Sequence, residues 1–165
     1  MAYNTSALVN PRVSMNDASY ITGLVDGEGS FLISFQQRTK MKTGVEVRPS
    51  FTLSQHQRNL ALLKWLQNFF GCGSLRFNKS DQTYKYEVRS LKDLVDVVIP
   101  HFEAYPLRSS KFKDFLTFKE VCKIIQQGGH LTKKGLIAII NEAYKMNNFG
   151  ARRYDQQSLL KTLTR

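Results

Sequence analysis

The apolar residues of this chain change their spacing at Ser30, and this change is what most limits its possible folds. Before that point, Ile21, Leu24 and Val25 recur on one face of a helix, which predicts a helix over residues 18–26. After it, apolar and polar residues alternate, which is the pattern of a strand with one buried face. A chain with both patterns is neither an all-helical bundle nor an all-β barrel, so a mixed fold is expected.

The rest of the chain continues with the same two periods. Beyond the strand that starts at Ser30, strands are predicted over residues 45–54, 73–78 and 84–89, and helices over residues 60–70, 91–102, 109–127 and 132–147. This order, α-β-β-α-β-β-α-α-α, is typical of an α+β domain whose helices cover one face of a four-stranded sheet. Pro49 falls inside the second strand and predicts a bulge or an edge position there.

The domain is expected to span residues 16–150. Residues 1–15, which show no periodicity, are expected to be an N-terminal tail, and residues 151–165 are expected to be a C-terminal tail. The hydrophobic fraction of 42% is high enough for the chain to fold. No apolar run approaches the ~20 residues that cross a bilayer, and a secretory signal is absent from the first residues, so neither membrane spanning nor secretion is expected.

The charge of the chain indicates the kind of partner it binds. It has 24 Lys and Arg against 13 Asp and Glu, a net charge of +11 at pH 7. An excess of this size points to a polyanion. Cys72 and Cys122 lie far apart without metal-ligand spacing and are expected to be two free, buried thiols.

The face of the sheet that the helices leave open is the candidate binding surface. Its outward positions carry short hydroxyls, amides and guanidinium groups, which are the side chains that hydrogen-bond base edges and phosphates in a major groove. The alternative is an ordinary solvated face, and the basic charge of the chain favours DNA. The outward positions are Ser30, Leu32, Ser34, Gln36, Arg38, Glu46, Arg48, Ser50, Thr52, Ser54, Ser74, Arg76, Asn78, Lys85, Glu87 and Arg89.

The stretch ITGLVDGEG over Ile21–Gly29, followed by Ser-Phe, resembles the LAGLIDADG motif of homing endonucleases. Further segments resemble the fungal-organelle branch of that family, so that the resemblance covers about residues 17–150. These segments are Gln55-His56, residues 91–94, residues 99–114 and residues 130–136. The resemblance implies an αββαββα core with a four-stranded antiparallel sheet, extended here by C-terminal helices.

The resemblance also implies roles for residues of the motif. Gly23 and Gly27 leave one face of the helix without side chains, so two such helices are expected to pack closely. The expected dimer interface consists of Gly23, Leu24 and Gly27. That packing brings two Glu28 carboxylates together, and with the Gly27 carbonyl they form an all-oxygen site for Mg²⁺. Mn²⁺ is expected to substitute, and Ca²⁺ to bind without turnover. Asp26 is expected to be a hydrogen-bonding residue at the helix end.

Two helpers are implied by the same resemblance. Gln55 matches a polar position that orders the attacking water, and Lys111 matches a basic residue near the phosphate. For Lys111 the alternative is one member of a solvated basic face. The candidate catalytic residues are therefore Glu28, Gln55 and Lys111.

Only one copy of the motif is found in this sequence, which supplies half of an active site. A homodimer is therefore expected, or a pair with another LAGLIDADG chain, cutting both strands of a long, near-palindromic DNA target. The resemblance places such an enzyme in an organelle, the mitochondrial matrix or a plastid. Two alternatives remain: an intron RNA maturase with the same fold, and a DNA-binding half-enzyme that needs a different partner chain.

Overall fold

The computed structural model describes residues 16–146 and 151–164. It contains four strands and seven α-helices in these ranges. The strands are β1 (Gly29–Gln37), β2 (Val45–His56), β3 (Ser74–Asn78) and β4 (Thr83–Val88). The helices are α1 (Asp17–Glu28), α2 (Leu60–Phe70), α3 (Leu91–Asp93), α4 (Ile99–Ala104), α5 (Lys111–Gln126), α6 (Lys133–Ala143) and α7 (Gln156–Thr164). The α+β class and the four-stranded sheet predicted from the sequence are confirmed.

The four strands form one antiparallel sheet in the order β1-β2-β4-β3. The register pairs predicted outward residues with one another: Thr52 of the central strand lies between Ser30 and Glu87. In the same way, Lys85 lies between Ser54 and Arg76. Because side chains alternate along a strand, this register places all of the predicted outward positions within the strands on one face.

Pro49 sits where β2 has only one neighbour. The β1 register runs through Pro49 without interruption, so the strand has no bulge at this residue. On the other side, β4 pairs with β2 only from Phe51 onward. Pro49 has no amide hydrogen, but no hydrogen bond to β4 is lost here because β4 does not reach this residue. Of the two predicted alternatives, a bulge or an edge position, Pro49 therefore has the edge position.

The opposite face of the sheet carries the core, with Phe31 near its centre. The Phe31 ring lies 5.3 Å, centroid to centroid, from each of the rings of Phe51, Phe102, Phe115 and Phe118. These rings come from β2, α4 and α5, so one aromatic cluster holds the helix layer on the sheet. The predicted helix over residues 91–102 is broken into α3, a π-helical turn over Leu94–Val98 and α4. No helix in the described part of the chain is long and apolar enough to cross a membrane.

The C-terminal residues differ most from the prediction. The sequence analysis predicts a tail over residues 151–165, but α7 buries Leu159 and Leu163 in the common core. The Gln37 side chain donates a hydrogen bond to the Thr162 hydroxyl, which ties α7 to the end of β1. The predicted N-terminal tail, residues 1–15, lies outside the described residues.

We predict that α7 unfolds together with the rest of the domain. Leu159→Ala should lower the free energy of unfolding by about 2–5 kcal/mol, because it leaves a cavity under a fully buried side chain. Gln157→Ala, an exposed change on the same helix, should stay within about 0.5 kcal/mol of wild type. Urea denaturation measures both. Equal stability of the two variants would mean that α7 does not belong to the cooperative unit.

Candidate active site and nucleic-acid face

The site is built at the carboxyl end of α1, where the helix meets the first strand. Glu28 is the last residue of the helix rather than the residue after it, and Gly29 begins β1 directly. Asn16 caps the other end, its side chain accepting a hydrogen bond from the Ala18 amide. The direct junction of helix and strand fixes the position of Glu28 relative to the sheet.

Asp26 joins this end of α1 to the segment that precedes α5. Its carboxylate accepts hydrogen bonds from the Arg108 amide at 2.7 Å, the Ser109 amide at 3.2 Å and the Ser109 hydroxyl at 2.6 Å. Burial opposes ionisation, but these hydrogen bonds and the nearby Lys111 outweigh it and hold the pKa of Asp26 below its usual value. Both of its oxygens are occupied, so Asp26 has the structural role predicted for it.

Lys111 crosses the same junction in the opposite direction. Its ammonium donates hydrogen bonds to the backbone carbonyls of Val25 at 2.7 Å and Asp26 at 2.9 Å. Both carbonyls belong to the last turn of α1. The Val25 carbonyl also accepts a hydrogen bond from the Gly29 amide, so Lys111 is its second donor. The Asp26 carbonyl lies where helix carbonyls lack partners within the helix. Burial lowers the pKa of Lys111, opposed by the negative charges of Asp26, Glu28 and Asp114. Lys111 is therefore not a member of a solvated basic face.

Gln55 lies at the same end of the sheet. The β1–β2 register pairs Gly29 with Leu53, so Gln55 is two residues further along β2, in the direction of the helix end. Its amide oxygen accepts a hydrogen bond from the Asn59 side chain at 2.9 Å, which fixes the orientation of the amide. Sequence reasoning missed Asn59, because its partner is set by the turn after β2 and not by a strand or helix pattern.

Glu28 is the carboxylate at this junction that has no hydrogen bond or ion pair among residues 16–146 and 151–164. Within those ranges no group of three metal-ligating side chains comes together. One chain thus offers a single free carboxylate, with the predicted Gly27 carbonyl beside it. This donor set is all oxygen and fits part of a Mg²⁺ site, provided that a second chain supplies the remainder.

One face of α1 is open along its length. A Cβ atom built on Gly23 or Gly27 would meet no atom of the described residues within 4 Å, and both glycines are exposed. Leu24 is half-buried beside them. The flank of this face is aromatic: Tyr20 is 40% exposed and lies edge-on to Trp65, while Phe69 is 41% exposed. We call α1's open side, together with these aromatic residues, the glycine face.

The back of α1 is anchored to α4. The Thr22 hydroxyl donates a hydrogen bond to the Tyr105 carbonyl at 3.0 Å and lies 3.3 Å from His101 Nε2. Burial lowers the pKa of His101 to about 4, so the ring is neutral at physiological pH. These buried polar contacts hold α1 so that its opposite side, the glycine face, is turned to solvent.

The predicted outward residues lie on the face of the sheet that is covered by no helix in the part of the chain that the structure describes. Two of them are nonetheless buried. Ser50 and Thr52 are only 6% and 5% exposed. Both are short side chains on β2. Thr52 lies between Ser30 and Glu87, and Ser50 lies beside Leu32 and lines the same cavity as Arg152 and Tyr154. Arg38 and Arg89 lie one residue beyond the ends of β1 and β4.

Ion pairs occupy several cations of this face. Glu46 accepts from both Arg38 at 2.7 Å and Arg48 at 3.0 Å, and these contacts hold the pKa of Glu46 below its usual value. Arg89 lies 3.4 Å from Glu87. Lys85 and Arg76, paired in register, have no ion pair within the described ranges. The face carries five cations against two carboxylates, which is a net positive surface.

Comparison with known proteins gives a consistent picture. The family model for LAGLIDADG endonucleases matches residues 21–122. A probable intron-encoded endonuclease 3 from Neurospora crassa is 37% identical over 146 residues, covering 88% of this chain and 26% of that protein. Among solved structures, the homing endonuclease I-TnaI is 37% identical with a TM-score of 0.77, covering 89% of this chain and 95% of that chain. I-SmaMI, solved bound to uncleaved DNA target in the presence of calcium ions, is 31% identical with a TM-score of 0.78 and matches 83% of this chain and 46% of its own.

We predict that Lys111 stabilises the junction between α1 and α5. Lys111→Met keeps the length of the side chain but removes the hydrogen bonds to the carbonyls of Val25 and Asp26, of which Val25 keeps the Gly29 amide as a donor. This loss should lower the free energy of unfolding by about 1–3 kcal/mol. The exposed Lys113→Met is the matched control on the same helix and should be neutral. Thermal unfolding followed by circular dichroism measures the difference. If both variants melt like wild type, the hydrogen bonds to α1 contribute no stability.

Proposed function

The chain belongs to the LAGLIDADG endonuclease family, and from that premise we propose that it is a site-specific, Mg²⁺-dependent DNA endonuclease that cuts both strands as a homodimer. The Neurospora relative is about four times longer than the region that it shares with this chain. The support for this activity therefore comes from the residues of this chain.

The observation that carries the proposal is the free carboxylate of Glu28 at the end of the glycine face. Its neighbour Asp26 is fully occupied by hydrogen bonds, so Glu28 is the acid that remains for a metal. When bound, Mg²⁺ would polarise the scissile phosphate and help to generate the attacking hydroxide. Glu28 and the Gly27 carbonyl would hold it, and the calcium-containing structure of I-SmaMI with DNA supports a divalent ion in this family. Mn²⁺ is proposed to substitute, and Ca²⁺ to bind without turnover.

Lys111 and Gln55 would act beside Glu28. The Lys111 ammonium is held at the end of α1, where it interacts electrostatically with the Glu28 carboxylate. At that position it would stabilise negative charge that develops on the phosphate oxygens. Gln55, with its amide oxygen already held by Asn59, would present its amide group to the attacking water. Both roles need only the side chains of one subunit.

Homodimer formation is proposed through the glycine face. Two helices without side chains at Gly23 and Gly27 can approach until their backbones touch, which brings their ends and both Glu28 residues to one axis. A two-fold axis between identical chains is the commonest closed arrangement. The exposed aromatic flank of Tyr20 and Phe69 supports burial of this side against another chain.

The open sheet face would lie in the major groove of each half-site. The major groove of DNA is wide enough to admit a β-ribbon, and the net positive charge of the open sheet face suits the phosphates on either side of the groove. A two-fold symmetric enzyme reads a target whose halves are related by the same symmetry. The intron-encoded relative supports an organelle location, either the mitochondrial matrix or a plastid.

We predict that Glu28→Gln abolishes cleavage and leaves DNA affinity similar or higher. The amide keeps the shape of the side chain but loses the charge that holds Mg²⁺. The matched control is Glu120→Gln, an exposed carboxylate on α5 that should cut normally. The assay uses a plasmid target selected by wild-type enzyme from a randomised two-fold symmetric library, with cleavage read on a gel and affinity by anisotropy.

Nicking by Glu28→Gln at more than a few per cent of the wild-type rate would contradict the metal-binding role. Failure of wild-type enzyme to select any target, with binding to intron RNA instead, would favour the maturase.

A further inference from the structure

The segment of residues 151–154, which precedes α7, reaches the edge of the open sheet face. β1 is at the edge of the four-stranded sheet, so the outer side of its backbone has no neighbouring strand among residues 16–146 and 151–164. Residues 151–154 run past this edge and line a cavity of about 290 Å³. The other walls include Leu32 and Ser50, which are paired across β1 and β2, and Arg89, which follows the end of β4; all three are predicted outward positions on the proposed DNA-binding side. The cavity therefore lies at the rim of that surface.

Arg152 fixes the segment in place. Its guanidinium donates hydrogen bonds to the carbonyls of Ile33 at 3.3 Å, Met146 at 3.0 Å and Ala143. These acceptors are an edge carbonyl of β1 and two carbonyls at the end of α6. The guanidinium also lies 4.5 Å from the centre of the Tyr144 ring. A guanidinium with this many partners is a structural group, since it has little capacity left for a ligand.

Tyr144 provides a second attachment. Its hydroxyl donates a hydrogen bond to the Tyr154 carbonyl, two residues beyond Arg152. Its ring stacks on Phe35 of β1 at a centroid distance of 6.2 Å. Arg153 is thus flanked on both sides by residues that are tied to the folded core, and its backbone position is defined relative to β1.

Arg153 itself is free. It is exposed, lines the cavity, and has no ion pair within the part of the chain that the structure describes. Its guanidinium lies 5.5 Å from the Tyr154 ring, which limits the directions in which it can extend. The neighbouring Arg89, by contrast, is paired with Glu87, and Arg38 and Arg48 share Glu46.

We propose that Arg153 contacts a backbone phosphate of duplex DNA lying on the open sheet face, and that Arg152 is the positioning residue that holds it there. The inference rests on the proposed function. A guanidinium binds a phosphate through two parallel hydrogen bonds, and a cation that gives up no existing ion pair binds at lower cost. The binding surface thereby extends beyond the four strands to a wall formed by residues 151–154.

The test is the salt dependence of binding to a 30-base-pair duplex of random sequence, measured by fluorescence anisotropy without divalent metal. Each phosphate contact contributes about 0.9 to the slope of log affinity against log salt. Arg153→Ala should lower this slope by about one unit and leave the melting temperature unchanged, because the side chain is exposed. Lys123→Ala, an exposed cation of the helix layer, is the matched control and should leave the slope unchanged.

Arg76→Ala separates this inference from the function on which it rests. If Arg76→Ala lowers the slope and Arg153→Ala does not, the sheet binds DNA without Arg153 and the inference is wrong. If wild-type protein does not bind the duplex at all, the proposed function itself fails.

A double-mutant cycle tests the positioning role of Arg152. Arg152→Ala should lower the salt slope by about one unit in the wild-type background and by nothing more in the Arg153→Ala background, because it acts through Arg153. A loss of stability alone would not produce this non-additive slope. If Arg152→Ala lowers the slope again in the second background, Arg152 contacts DNA directly and the assigned division of roles is overturned.

Discussion

The end of α1 and the start of α5 supply each other's missing hydrogen-bond partners, and the site depends on this exchange. The Asp26 carboxylate accepts from the Arg108 and Ser109 amides, while the Lys111 ammonium donates to the carbonyls of α1. Amides at the start of a helix and carbonyls at its end lack partners within the helix. A carboxylate therefore suits the start of α5, and an ammonium group suits the end of α1. The exchange locks the helix end in place and leaves Glu28 free.

On the open sheet face, too, some charged side chains are paired and others are left unpaired. Two carboxylates, Glu46 and Glu87, hold three of the arginines in defined directions, while Arg76 and Lys85 stay unpaired within the described chain. Exposed ion pairs of this kind add little to stability. Their effect is on the arrangement of the surface: they preorganise part of a positive face and leave the remaining cations unpaired, as the proposed contact with DNA phosphates requires. Arg153 adds an unpaired cation at the rim.

The spacing of apolar residues and the motif were sufficient to predict those parts of the structure that residues close in sequence determine. Alternation from Ser30 onward identified the outward face, because a two-residue period leaves one choice of side once Phe31 is buried. The motif likewise located Glu28 and the open glycines. Contacts between distant segments could not be predicted in this way. Asp26 and Ser109 are 83 residues apart, and Arg152 reaches a carbonyl 119 residues away.

The C-terminal residues show this limit most clearly. Leu159 and Leu163 are four residues apart, which is helical spacing, but a helix this short forms only when it packs on something. Its support comes from the β1–β2 hairpin and α6, which no pattern within residues 151–165 reveals. The sequence shows Arg152 and Arg153 only as two adjacent positive charges. In the structure, Arg152 is bonded to backbone carbonyls of the folded core, whereas Arg153 is exposed.

The central claim is that two chains meet through the glycine faces of their α1 helices. Sedimentation velocity tests it most directly, with wild-type protein expected to sediment at twice the mass of the 19.0 kDa chain. Gly23→Leu should sediment as a monomer, because the added side chain has room in a single chain but not between two backbones in contact. Ala138→Leu, at an exposed position of α6, should remain a dimer. A Gly23→Leu protein that still forms dimers, or a wild-type protein that stays monomeric on DNA, would contradict the account.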